Sequence, residues 1–167
     1  ATAAGVRFAS RTLDSAEVTG RVKGNATTDF GAPAVPVPWD DAPLGRAEAE
    51  RLSRLVVATW AVFDRIRAVT PQSLAKGPRG GGRDRDKMAD HVLGAEAAYA
   101  RKVGVRHRQP RLDDTAAIAA LRDEIAATLR AARSPAPDLE KGWPYRYAAR
   151  RIAWHVLDHA WEMQDRS

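Results

Sequence analysis

The chain changes its hydrophobic rhythm once. Up to residue 41 the apolar positions keep no sustained period, and "GAPAVPVPWDDAP" (31–43) carries four prolines. That density excludes helix and favours an extended tether. From Ala42 onward the spacing becomes three-to-four. Leu52, Leu55, Val56, Thr59, Phe63, Ile66 and Val69 form an amphipathic stripe that Pro71 ends. Met88, His91, Ala95, Ala98 and Tyr99 predict a second helix over about residues 83–103. Ile118, Leu121, Ile125 and Leu129 predict a third over about 113–133, capped by Asp113 or Asp114. The last runs from about Pro144, suited to a first turn, to Arg166.

Four helices of about twenty residues, each with one apolar stripe, predict an all-α four-helix bundle over 42–167. Residues 1–41 are a separate extended segment in which 17–23 can form one strand. A lone strand has no partner within this chain. The segment is then the remnant of a longer N-terminal module, or it lies along the bundle.

Composition narrows the chemistry. There is no cysteine, so disulfides, thiolate metal sites and a cysteine nucleophile are excluded, and any metal must use nitrogen and oxygen ligands. No run approaches ~18 apolar residues, and no secretory pattern opens the chain; a cytoplasmic protein with no membrane partner is expected. The net charge is +6, from 27 basic and 21 acidic residues, which permits an acidic partner without demanding one. The basic clusters 76–87 and 101–111 flank the second helix and are expected about 30 Å apart. That spacing argues against a continuous phosphate-tracking surface, and no helix-turn-helix or zinc-finger spacing is present.

The histidines carry the sharper signal. His155 and His159 are four apart, about 40° on a helix, and share a face with Ala148, Ile152, Glu162 and Met163. Burying imidazoles costs free energy unless each finds a partner. One such pair is more often structural or solvent-facing than metal-binding, and Val156 replaces the glutamate of a metalloprotease H-E-x-x-H. His91 adds a third inward imidazole among small neighbours on the second helix. Three neutral imidazoles match an open three-ligand zinc arrangement. Their levels coincide within about one turn (~5.4 Å) if helices two and four are antiparallel. His107, in "GVRHRQPR", reads as solvated.

The single histidine of "DHVLGAE" (90–96) and the H-x-x-x-H of "WHVLDHAWEMQDR" (154–166) resemble the DinB-like superfamily of metal-binding four-helix bundles. That superfamily includes thiol-dependent enzymes such as mycothiol-dependent maleylpyruvate isomerase. The resemblance covers about residues 42–167. It implies His91, His155 and His159 as ligands of a divalent metal, zinc or nickel, and an up-down-down-up bundle. Parallel helices two and three then need a long crossover. Residues 104–112 suffice only if nearly extended, so helix two should finish early or helix three start late.

"AKGPRGGGRDRDK" (75–87) joins helices one and two. It reads either as a solvated connection or as a loop rimming the histidines, with Arg79, Arg83 and Arg85 holding an anionic thiol such as mycothiol or an organic acid. No Walker lysine pattern occurs. Three function classes stay open. The first is a metal-dependent thiol transferase or isomerase, with Glu162 as a supporting or proton-handling group and Arg151 holding a charged substrate. The others are a basic regulatory or nucleic-acid-binding protein, and a structural bundle that forms a homodimer through Trp154 and Trp161.

Overall fold

Helix direction is legible from a few polar contacts. The structure, a computed structural model, describes residues 2–6, 15–77 and 82–167. Its helices are α1 (Arg46–Val69), α2 (Arg85–Ala100), α3 (Thr115–Ala131) and α4 (Tyr145–Asp165). Arg146, at the start of α4, pairs with Glu48, at the start of α1, at 2.6 Å. Just beyond the other ends, the Ala75 N–H donates to the Arg166 carbonyl at 2.8 Å. So α1 and α4 run parallel. Ser53, early in α1, donates its hydroxyl to the carbonyl of Ala126, late in α3, at 2.8 Å, so α1 and α3 are antiparallel. The Trp143 N–H, just before α4, donates to the Lys102 carbonyl, just after α2, at 2.9 Å. The bundle is up-down-down-up, with α2 and α4 antiparallel.

The helices begin and end where local chemistry dictates. The Asp114 carboxylate accepts the Ala117 N–H at 2.9 Å and caps α3. Pro144 stands immediately before α4. The crossover problem is solved from both sides, because α2 stops at Ala100 and α3 waits until Thr115. Residues 104–114 run back along α2, held by the Gln109 side-chain amide, which donates to the Asp90 carbonyl and Oδ1 at 3.1 and 2.8 Å. Gly94 admits this strap, since a Cβ there would lie 2.8 Å from the Gln109 oxygen.

The crossover spreads the second basic cluster along the bundle. Arg101, Arg106 and Arg108 stay together near the end of α2, while Arg111 is carried back to share a shallow surface pocket with Arg67.

The core is built from Met88, Leu121, Ile125, Leu129, Ile152, Val156 and Met163. The buried arc of α2 is rotated from the predicted stripe: Val92, Leu93 and Glu96 are buried and Ala98 is exposed. Contact with both α4 and α3 widens the arc beyond one stripe.

No strand occurs among the described residues. Residues 17–23 are irregular and exposed, because no second edge is present to satisfy their backbone groups. Further along, the N-terminal segment is pinned to the bundle. Asp40 is fully buried; its two oxygens accept from Arg150, each at 2.8 Å, and one also accepts the Val37 N–H at 2.8 Å. Burial alone would raise the Asp40 pKa. The Arg150 hydrogen bonds, the Val37 N–H and the charges of Arg150 and Arg146 outweigh it and hold the group below the ordinary aspartate value. Arg146 also donates to the carbonyls of Ala42 and Pro43.

No described helix is long and apolar enough to cross a membrane.

Candidate metal centre

The antiparallel packing of α2 on α4 brings His91 against His155 and His159. Ring centroids are 5.1 Å apart for His91 and His155, 5.0 Å for His91 and His159, and 4.6 Å for His155 and His159. One nitrogen of each ring lies within 4.8 Å of the other two. An ion with tetrahedral bonds of ~2.0–2.1 Å separates its ligand atoms by about 3.4 Å. The three nitrogens would have to draw in from at most 4.8 Å to that spacing to share an ion.

The donor set suits a divalent cation. His155 is 7% and His159 8% exposed, and His91 is half-buried. Burial, followed by the neighbouring His159 and His91 and the charges of Arg151 and Arg83, pushes the His155 pKa down to about 3. The His91 pKa is lowered chiefly by burial, then by Arg83 and His159. Both rings are therefore neutral at physiological pH, and a neutral imidazole is the form that ligates metal.

Glu162 orients the third ligand. The His159 Nδ1–H donates to Glu162 Oε2 at 2.9 Å; a carboxylate only accepts, so in the neutral ring the lone pair is left on Nε2. The other Glu162 oxygen accepts from Arg166 at 2.6 Å, and Arg166 Nε donates to the Ala75 carbonyl at 2.7 Å. Burial would raise the Glu162 pKa, but the hydrogen bonds from His159 and Arg166 and the Arg166 charge hold it below the ordinary glutamate value. Glu162 is thus an ionised acceptor. That is the arrangement by which an outer carboxylate fixes a ligating imidazole.

The basic loop lies at the triad's end of the bundle, but its arginines separate. Arg83 lines an open groove together with His91, Tyr99 and Lys87. Arg85 turns away: it donates to Asp86 at 2.9 and 3.2 Å and to the Thr70 carbonyl at 3.0 Å. Arg79 lies outside the described residues. Gly82 holds φ +129°, and a Cβ there would collide with the Arg166 guanidinium.

Arg151 stands beside the site between two aromatic rings. Its guanidinium carbon is 5.4 Å from the Tyr99 ring centre and 5.0 Å from that of Trp154. Tyr99 also packs on His155, at 5.7 Å. One Arg151 terminal nitrogen is buried with no hydrogen-bond partner, an arrangement that favours an incoming anion.

Sequence reading missed Arg166, Lys87 and Gln109. Only Arg166 left a signal, lying four residues after Glu162 on one helix face. Comparison of the chain with known protein families, with curated proteins and with solved structures finds no match in any of the three. What fold and site define is a four-helix bundle whose three-histidine cluster could hold a divalent metal ion.

Proposed function

We propose that the protein is a divalent-metal-binding member of the DinB-like superfamily, a transferase or isomerase that acts on a small molecule with a low-molecular-weight thiol. The observation that carries this reading is the convergence of three histidine nitrogens from two antiparallel helices within 4.8 Å. The donor chemistry favours zinc or nickel. When bound, the ion supplies Lewis acidity, which lowers the pKa of a thiol or water that reaches it.

The chain's own residues divide the remaining work. His91, His155 and His159 hold the ion. Glu162 is a positioning residue that fixes the His159 tautomer. Arg151, with an unsatisfied nitrogen and a guanidinium stacked on Tyr99 and Trp154, holds a carboxylate of the thiol or of an organic acid. Arg83 and Lys87 add positive charge along the groove by which such an anion reaches His91. Tyr99 and Trp143, whose ring centres are 5.3 Å apart, help wall off water.

Metal analysis tests the reading. Protein incubated with zinc or nickel and then desalted should carry one ion per chain, and His159→Ala should carry none while keeping its helix content. Wild-type protein that takes up no stoichiometric metal overturns it. A homodimer on the helix face away from the triad would be anchored by Trp161, 56% exposed, and not by Trp154, which stacks on Arg151 beside His155.

A further inference from the structure

Helix α2 borders a second cavity, on the side away from His91. Its volume is about 460 Å³, within the usual ~300–1,000 Å³ of small-molecule sites. Phe63 of α1, Leu93 of α2 and Ile118 of α3 give it apolar walls, and no residue of α4 lines it. It is therefore separate from the triad, which depends on α4.

The charges around this cavity balance overall but are separated. Arg122 is committed to two carboxylates, Glu96 at 3.1 Å and Asp64 at 2.8 Å. Arg67 and Arg85, which also line the cavity, share the single carboxylate of Asp86, at 4.0 and 2.9 Å. Arg122 with its two carboxylates is locally −1, whereas Arg67 and Arg85 with the one carboxylate of Asp86 are locally +1. The Arg67 and Arg85 side chains are 31% and 27% exposed, so that positive charge sits at the opening and not in the core. Thr115, at the start of α3, adds a hydroxyl to the same lining.

We propose that this cavity binds a small aliphatic monocarboxylate of medium chain length. Its carboxylate bridges Arg67 and Arg85, and its apolar chain lies against Phe63, Leu93 and Ile118. The locally positive end takes one anionic group, and a second would meet Asp64 at the locally negative end. An uncharged alcohol of the same length gains the apolar contact but not the charge-assisted hydrogen bonds, which are about twice as strong as neutral ones. A matching ammonium meets the wrong sign of charge at the Arg67 and Arg85 opening.

The test is calorimetric titration of octanoate into the full chain, with octanol and octylammonium for comparison. Wild type should show one saturable octanoate site per chain. Arg67→Gln should bind at least about tenfold more weakly. Ala119→Trp, which places an indole in the cavity from an exposed α3 position, should abolish binding; Ala68→Trp does the same from α1 if Ala119→Trp fails to fold. His159→Ala, which removes a triad ligand, should bind octanoate as wild type does, so the metal reading can fail without touching this one. Absence of saturable binding to wild type overturns the proposal. So does binding that survives both Arg67→Gln and the tryptophan variant, or binding that His159→Ala removes.

Discussion

His159 and Glu162 meet at 2.9 Å across one turn of α4, and that contact ties the triad to the far end of the loop before α2. Through the second Glu162 oxygen, Arg166 and the Ala75 carbonyl, a ligand's orientation is coupled to the packing of α1's exit against α4's last turn. A helix terminus that would otherwise fray thereby acquires fixed partners on both sides.

Glu162→Gln should keep one metal per chain but weaken its hold by roughly tenfold, within the ~10–100-fold usual for lost outer-shell carboxylates. Competition with a chromogenic chelator measures this. Affinity equal to wild type would show that Glu162 supports only the helix terminus.

Gly82→Ala should destabilise the protein by about 1–3 kcal/mol, the usual cost of a backbone angle that L side chains resist, and should also displace Arg166 from Glu162. Thermal unfolding with and without metal separates the two effects. The backbone term lowers both midpoints alike, whereas a displaced Arg166 also reduces the stabilisation that metal confers.

Arg122→Met leaves Glu96, 1% exposed, buried without its partner. Burial already raises the Glu96 pKa against the opposing pull of Arg122. Removing one member of a buried pair costs about 3–5 kcal/mol, read as a lower urea midpoint. Adding Glu96→Leu should recover most of that loss, because an apolar pair of similar volume carries no desolvation cost.

Acid should release the N-terminal segment first. Asp40 has its folded pKa held below the ordinary 3.8. Its contribution is therefore complete above the unfolded value and is lost as pH falls through the lower folded value. As pH falls below the unfolded aspartate value of about 3.9, the Trp39 fluorescence, one residue away, should report detachment. Asp40→Asn should weaken the anchor at neutral pH and flatten that acid slope; an unchanged slope would place the acid sensitivity elsewhere.

Much of this protein was present in one dimension. The three-to-four spacing after Ala42, the break at Pro71, the Asp114 cap and Pro144 before the last helix are local effects, settled within a turn or two of chain. His155 and His159 share a face for the same reason, and the short link over residues 104–112 between the second and third helices required α2 to stop early or α3 to start late. Tertiary packing decided what periodicity cannot express. Nothing in the sequence marks Glu96 as buried until α3 brings Arg122 to it, and Arg85 reads as a guard of the histidines until Asp86 and the Thr70 carbonyl draw it away. Residues 17–23 alternate like a strand but form none among the described residues, since a strand exists only when another edge satisfies its hydrogen bonds. A helix completes its own backbone bonds and so announces itself in sequence; the partner of a charge or of a strand lies elsewhere in the chain, and only the fold supplies it.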